Sequence, residues 1–154
     1  MQQTKAAIIG GLVAGVLTTA VMVAGRKSGV LTKTLDRDAV DWIDRLTGSR
    51  KLIGDSGTSI VEFTNHLGAS AAFAAALPAL RKLAPSLSAV ELGTLYGTAL
   101  YLVNIGCIAP VLGITEGEFE AGPRKAGERW AIHVLQAVVT AIVAERLSAP
   151  ADND

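Results

Sequence analysis

Two histidines lead the residues of this chain that could do chemistry. His66 and His133 are its only histidines, and each lies in an apolar stretch. Glu62 and Arg129 precede them by four residues, so each pair can touch on one helical turn. Chains of acidic residues and histidines carry protons in pumps, and axial histidines ligate haem. Because unpaired polar groups are costly in hydrocarbon, we expect both faces to turn toward a helix-bundle interior.

Further polar residues fall at a similar depth in the predicted spans. At a rise of 1.5 Å per residue, His66, Asn104 and His133 lie roughly 10–15 Å from one membrane surface. The predicted intramembrane polar site comprises Glu62, Asn65, His66, Tyr101, Asn104, His133 and Gln136. Three interpretations remain open for it: a proton relay or polar solute site, hydrogen bonding that only holds the helices together, or a cofactor site.

Other catalytic and metal-binding patterns are missing from the sequence. It holds no CxxC, no Walker-type loop, no GxSxG and no His/Cys metal spacing. Ser70 and His66 share a helix without a nucleophile motif, which makes an intramembrane hydrolase the least favoured class. Cys107 is the lone cysteine and is predicted to be a small buried packing residue. We expect no metal and no cofactor, with haem b held by His66 and His133 as the alternative.

The composition indicates a membrane protein. Half of the 154 residues are hydrophobic, 18% are charged, and the mean hydropathy is +0.41. Apolar stretches predict four membrane spans at about residues 6–25, 58–80, 91–114 and 126–147, because roughly 20 residues cross a bilayer. A signal peptide is the alternative for the first stretch, although signal h-regions are shorter, at roughly 7–15 residues. The formal net charge is zero without a basic block, so nucleic acid is not an expected partner.

Small residues in these spans predict close helix packing. Gly11 and Gly15 in the first span, and Gly93 and Gly97 in the third, form GxxxG patterns that let two helix backbones approach. Pro110 is expected to kink the third span or to end its regular part, because proline lacks a backbone donor.

The charged segment between the first two spans has helical periodicity. Its apolar residues Leu35, Ala39, Trp42, Ile43 and Leu46 recur at helical spacing, and Gly48 is a plausible stop. We predict a helix over about 35–47 that lies in the membrane interface with Trp42 as its anchor; a connecting helix packed on the bundle end is the alternative. The acidic residues Asp36, Asp38, Asp41 and Asp44 are predicted to form a solvated face.

These patterns predict an all-α fold. One domain, residues 1–147, would form a four-helix transmembrane bundle with an amphipathic interfacial helix between spans one and two, followed by a disordered tail at 148–154. Ten Lys and Arg residues flank the spans on one side against four on the other, so both termini are expected to face away from the cytoplasm. Because four short spans enclose little volume, we expect a homo-oligomer or a subunit of a membrane complex.

The C-terminal two thirds of the chain resemble a known family. NHLGAS in span two, APVLGIT ending span three and GERWAIHVLQAVVTAIVAERL in span four are similar to segments of the YagU-type family of uncharacterised bacterial inner-membrane proteins. The matched positions are His66, Pro110, Gly113, Glu128 and His133, within roughly residues 60–147. The proline-rich segment that such proteins carry after span one is replaced here by the Asp-rich helix. The resemblance implies four membrane helices in a bacterial inner membrane and no established activity.

The resulting hypothesis is a small multi-pass protein of the bacterial inner membrane with a role closer to transport than to enzymology. It would be transporter-like, proton-handling or an accessory subunit, with the intramembrane polar layer at its centre. One alternative is a b-type membrane cytochrome that uses His66 and His133 as axial ligands. The other is a purely structural or assembly subunit in contact with the lipid bilayer.

Overall fold

The computed structural model describes residues 3–149, and these form helices and connecting turns without a strand. The helices are α1 (Gln3–Lys27), α2 (Leu35–Thr47), α3 (Ser49–Ala74), the short α4 (Leu77–Leu83), α5 (Ala89–Val103) and α6 (Glu118–Ser148). The α5 helix continues as a π-helix, Asn104–Ile108, and ends in one turn at Ala109–Val111. The tail predicted from 148 onward begins at the last residue of α6, and its residues 150–154 lie outside the described part.

Three of these helices are long and apolar enough to cross a membrane. Within residues 3–149 they are Gln3–Lys27, Ala89–Val111 and Glu118–Ser148, with mean hydropathies of 2.2, 1.4 and 1.4. The stretch predicted as a fourth span, 58–80, is divided between α3 and α4, and α3 does not reach the same apolarity. Glu62, Asn65 and His66 lower its mean hydropathy. The chain is therefore all-α, with three candidate spans packed together, which indicates a small multi-pass membrane protein.

Two glycines break the long helices before their apolar parts begin. Gly54 in α3 has φ 68°, and Gly122 in α6 has φ 79°. These left-handed conformations favour glycine because it carries no Cβ. Pro123 directly follows the second break, so it opens the straight part of α6, where proline's missing N–H costs nothing.

The helices pack side by side in the order α3, α1, α6, α5, with α2 lying on α3. Glycine permits these contacts. A Cβ added to Gly11 would lie 2.5 Å from the Ser70 carbonyl oxygen on α3, and one on Gly15 would lie 2.9 Å from the Ser70 hydroxyl. Between α5 and α6, a Cβ on Gly93 would lie 2.5 Å from Val138 Cα, and one on Gly97 would lie 2.7 Å from the His133 carbonyl oxygen.

Most buried apolar side chains are alanines, and many of the large apolar side chains point outward. Alanine dominates the buried apolar set, in which Ile105 is the largest fully buried side chain, whereas Val16 and Leu102 are more than half exposed. Backbone contact between small residues, with large side chains outside, is the arrangement expected of helices in lipid. Cys107 lies on the exposed side as well, so its prediction as a buried packing residue is wrong. The π-helix widens the turn around it and leaves Ile105 inside.

Candidate functional site

A cavity of about 350 Å³ lies between α3 and α5. These two helices end the row and contact each other little, while α6 forms the floor between them. The segment Leu31–Asp36 closes one end of the cavity. At the other end the Tyr96 hydroxyl donates a hydrogen bond to the Phe73 carbonyl oxygen at 2.7 Å. The volume is at the lower end of the roughly 300–1,000 Å³ range of ligand pockets.

Five of the seven residues predicted for the polar site line this cavity. They are Asn65, His66, Asn104, His133 and Gln136. Tyr101 lies just behind them, with its ring edge-on to His133 at a centroid distance of 6.0 Å, and its hydroxyl donates to Glu118 Oε2 at 2.7 Å. The converging helices thus bring most of the predicted polar layer to one cavity.

Glu62 lies apart from that cavity. Its carboxylate pairs with Arg26 of α1 at 3.1 Å and with Arg37 of α2 at 3.4 Å, and it does not line the cavity. The partner that sequence spacing suggested for Glu62 was His66. A different carboxylate, Asp36 of α2, takes the place beside the histidine.

His66 is at the centre of a hydrogen-bonded chain that joins four helices. Its Nδ1 lies 3.0 Å from Asp36 Oδ2 on α2, and its Nε2 lies 3.0 Å from the Thr18 hydroxyl on α1. The Thr18 hydroxyl donates to Gln136 Oε1 on α6 at 2.6 Å. Gln136 Nε2 in turn donates to the Gly11 carbonyl oxygen at 3.2 Å.

The hydrogens of this chain can be assigned from the partners of each group. A backbone carbonyl only accepts, so Gln136 must direct its NH₂ group to Gly11 and its oxygen to Thr18. Thr18 has one hydrogen and three oxygens within reach: Gln136 Oε1 at 2.6 Å and the carbonyl oxygens of Ala14 at 2.9 Å and Gly15 at 3.2 Å. We assign the hydrogen to the shortest of these contacts, with Gln136. Nε2 of His66 must then donate to Thr18, while Nδ1 donates to the Asp36 carboxylate. Both ring nitrogens are donors, so His66 is an imidazolium in this arrangement.

His133 has a different protonation pattern. Its Nδ1 lies 2.8 Å from the Arg129 carbonyl oxygen one turn earlier. Because a carbonyl only accepts, Nδ1 carries a hydrogen, and in the neutral form of the ring Nε2 has the lone pair. Of the two histidines that line the cavity, His66 is thus bonded at both ring nitrogens and His133 at Nδ1.

The acidic face of α2 points inward, so its prediction as a solvated face is wrong. The side chains of Asp36, Asp38 and Asp41 are only 19%, 12% and 21% exposed. Basic side chains of neighbouring segments pair with these aspartates. Lys33 contacts Asp38 at 2.9 Å and Asp41 at 2.7 Å, and Arg50 of α3 contacts Asp41 at 2.5 Å. Trp42, predicted as an interface anchor, is half-buried on this helix.

These pairs shift the acid–base properties of the α2 end. Burial alone would lower the pKa of Lys33, but hydrogen bonds to Asp41 and Asp38 raise that pKa above its ordinary value of 10.5. Burial would raise the pKa of Asp41, but hydrogen bonds from Lys33 and Arg50 lower it below 3.8. Both ions are stabilised in their charged forms, which holds α2 to the bundle.

Arg129 connects α2 to α6 beneath these surface pairs. Its side chain is 5% exposed, and its two terminal nitrogens donate to Asp38 Oδ2 at 2.9 Å and to Glu118 Oε1 at 2.5 Å. Its Nε has no hydrogen-bond partner among residues 3–149. The Thr34 hydroxyl is also buried without a partner in that range, although Thr34 is the N-cap of α2. Both residues line the cavity.

Sequence reasoning did not assign Thr18, Asp36, Asp38 or Glu118 to the polar site. Thr18 shares a face with Gly11 and Gly15, so a polar residue on a close-packing face was the available signal. Asp36, Asp38 and Glu118 gave no such signal. They lie after turns of the chain, and the sequence does not show where those turns place them on the bundle.

The geometry does not fit a haem between the two histidines. Both nitrogens of His66 are engaged, Nδ1 with Asp36 and Nε2 with Thr18, so neither offers a lone pair to iron.

No family model, curated protein or solved structure matches this chain, so the resemblance to the YagU-type family stays a prediction.

Proposed function

We propose that the protein is a non-enzymatic, transporter-like membrane protein that handles a proton at His66. One observation carries the proposal: His66 lies in a cavity wall between a carboxylate, Asp36, and a hydroxyl, Thr18, at 3.0 Å from each. Histidine changes charge near neutral pH, and carboxylate–histidine chains inside membranes are typical proton paths.

The hydrogen-bonded chain also suggests how a proton would be coupled to the cavity. When His66 is an imidazolium, Thr18 donates to Gln136 and satisfies its oxygen. When His66 loses its Nε2 proton, Thr18 can turn its hydrogen to that nitrogen. Gln136 Oε1 then lacks a donor and becomes free to accept a hydrogen bond from a molecule in the cavity. The proton at His66 and the occupant of the cavity would thus influence each other.

The remaining features of the proposal concern the membrane. We propose that residues 58–80 form a fourth, kinked span, since α3 packs along α1 over its apolar part. The excess of Lys and Arg in the 26–57 and 115–129 segments favours termini outside the cytoplasm of a bacterial inner membrane. A homo-oligomer or a complex with another chain would cover the large apolar side chains on the outer faces.

Proton movement across vesicles tests this function. The protein is reconstituted into liposomes that contain a pH-sensitive dye, and an outward potassium gradient supplies the driving potential. We expect proton uptake with the native chain and at least about a tenfold loss with His66→Gln, because general proton-transfer groups contribute about 10²–10⁴-fold where they act. Asp36→Asn should reduce the uptake as well.

Glu62→Gln is the matched control, since Glu62 is a carboxylate on the same helix that does not line the cavity. Its variant should keep the uptake. Native-like uptake with His66→Gln, in protein whose circular dichroism is unchanged, would reject the function and favour a structural or assembly subunit. Nitrogen NMR of the two histidines provides a second readout: His66 should give an imidazolium signal at neutral pH, and His133 the Nδ1–H neutral form.

A further inference from the structure

We infer that the cavity binds a long-chain membrane molecule whose head is an uncharged carbonyl group. The chain would lie between α3 and α5, and the carbonyl oxygen would accept hydrogen bonds from Arg129 Nε and the Thr34 hydroxyl. The inference rests on the proposed function, because it names the class of molecule that occupies the same cavity.

The shape and lining of the cavity fit a hydrocarbon chain. Its walls include Ala69 and Phe73 from α3 and Leu100 and Ile108 from α5, with Ile132 on the floor. Along α6 it extends over twelve residue steps from 128 to 140, which is about 18 Å of helix. A space that is long, narrow and mostly apolar selects for a chain rather than for a compact polar solute.

The cavity can be reached from the side that lipid would occupy. The helices α3 and α5 contact each other little along its length. Phe73 and Ile108, one on each wall, are 39% and 46% exposed, so the walls present apolar side chains at the opening. A molecule already dissolved in the bilayer could therefore enter between the two helices without crossing water.

The polar end of the cavity needs an acceptor. A buried donor without a partner costs about 1–3 kcal/mol, and structures rarely leave one unsatisfied. Arg129 Nε and the Thr34 hydroxyl are two such groups among residues 3–149, and both residues line the cavity. In the proposed complex the ligand oxygen lies between them and satisfies both. The first turn of α2 follows Thr34, whose side chain makes no cap hydrogen bond, so this helix end also favours an acceptor.

The surrounding charges favour an uncharged head. Each cation that lines this end is already paired: Arg129 with Asp38 and Glu118, and Lys33 with Asp38 and Asp41. His66 is likewise paired with Asp36. A free carboxylate or phosphate would meet the four carboxylates that are paired with these three cations, and its desolvation would not be repaid. A ketone, quinone or ester carbonyl accepts the same hydrogen bonds without that cost.

Photolabelling in vesicles tests this ligand class. The vesicles consist of ether-linked phospholipids, which contain no carbonyl. The probes share one long chain with a diazirine near its middle and differ in the head: a methyl ester, the free acid, or a methyl ether without a carbonyl. We expect the ester to label residues on the facing walls of α3 and α5, and the acid and the ether to label them about three- to tenfold less.

Two cavity variants and one control locate the binding. Ala69→Phe fills the cavity from α3 and should reduce labelling by the ester about tenfold, whereas Ala72→Phe on the exposed side of α3 should leave it unchanged. Thr34→Val removes one donor and should weaken labelling about three- to tenfold. Competition by a diacyl glycerolipid or by an isoprenoid quinone then distinguishes the two natural sources of a long-chain carbonyl.

Equal labelling by the ester, acid and ether, or undiminished labelling in Ala69→Phe, would overturn the inference. This failure differs from failure of the proposed function. Proton uptake that depends on His66 without selective labelling would reject the ligand class alone, whereas selective labelling without proton uptake would reject the function and keep the ligand class.

Discussion

The helix seams and the α2 end of the molecule are held together by different forces. Along the seams α1–α3 and α5–α6, glycines bring backbones into contact, and the contacts depend on shape. At the α2 end, Asp36, Asp38 and Asp41 pair with ions from other elements, and the contacts depend on charge. The seams leave no room for a further atom. At the α2 end, Arg129 and Thr34 have buried donors without a partner among residues 3–149.

This difference indicates where function can reside. A close-packed seam of small residues leaves no space for a ligand. The α2 end contains groups that can change charge and donors that can bind a further acceptor. Polar groups inside a membrane are costly and often mark a functional site. The α2 end is therefore the region where we expect function.

The largest expected loss in the free energy of unfolding follows from replacing Arg129. Replacing Arg129 by Met leaves Asp38 and Glu118 half-buried without their shared cation, and losing one partner of a buried ion pair costs about 3–5 kcal/mol. Arg124 on the same helix is the control, because its side chain is 70% exposed and its pair with Glu128 should contribute less than about 1 kcal/mol. Reversible unfolding in mixed micelles measures both. Equal losses for the two variants would mean that charge burial does not hold the α2 end.

A seam should respond to volume instead. Gly93→Ala places a methyl group 2.5 Å from Val138 Cα, where only backbone atoms could move away. Overpacking of this kind lowers the free energy of unfolding by about 1–3 kcal/mol. Gly127→Ala on α6 is the control, because no atom lies within 4 Å of its added Cβ; there the better helix propensity of alanine should add up to about 1 kcal/mol. The same unfolding measurement compares the two variants. An unchanged free energy of unfolding for Gly93→Ala would show that the α5–α6 seam is not closely packed.

The smallest effect is the pH dependence of the α2 end. The pKa of Asp41 is lowered, so its stabilisation is full above 3.8 and is lost as the pH falls through the folded-state value. The pKa of Lys33 is raised, so its stabilisation is full below 10.5 and is lost as the pH rises through the folded-state value. The free energy of unfolding should therefore be constant between these two pH values. It should decline at both extremes, by less than about 1 kcal/mol per pair. Lys33→Gln should flatten the alkaline decline; an unchanged profile would assign it to other groups.

Several elements could be predicted from local pattern alone. The helix at 35–47 follows from its apolar period and the stop at Gly48, and α2 occupies Leu35–Thr47. The straight part of α6 follows from Pro123, and the π-helix with its final turn lies around Pro110, where proline was expected to disturb the third span. Each of these signals acts within a few residues, which is the range over which propensity and missing donors act.

The composition of the polar site could be predicted only in part. Asn65, His66, Asn104, His133 and Gln136 share helical faces with small residues, and the converging helices bring them to one cavity. The partner of His66 could not be predicted, because Glu62 is one turn away in sequence while Asp36 is thirty residues away. Local spacing favoured Glu62, whereas the position of α2 across α3 brings Asp36 within 3.0 Å.

The sequence by itself determined that this chain forms apolar helices, where glycine and proline break or bring them together, and which faces are polar. Those properties depend on side-chain chemistry and on the helical repeat, both of which are local. Only the tertiary structure decided that α2 turns its aspartates inward and that both ring nitrogens of His66 are hydrogen-bonded. It also decided that Arg129 and Thr34, which line a cavity, have buried polar atoms without a partner among residues 3–149. These outcomes depend on distances between elements far apart in the chain, which are set by how the helices pack and not by any one segment.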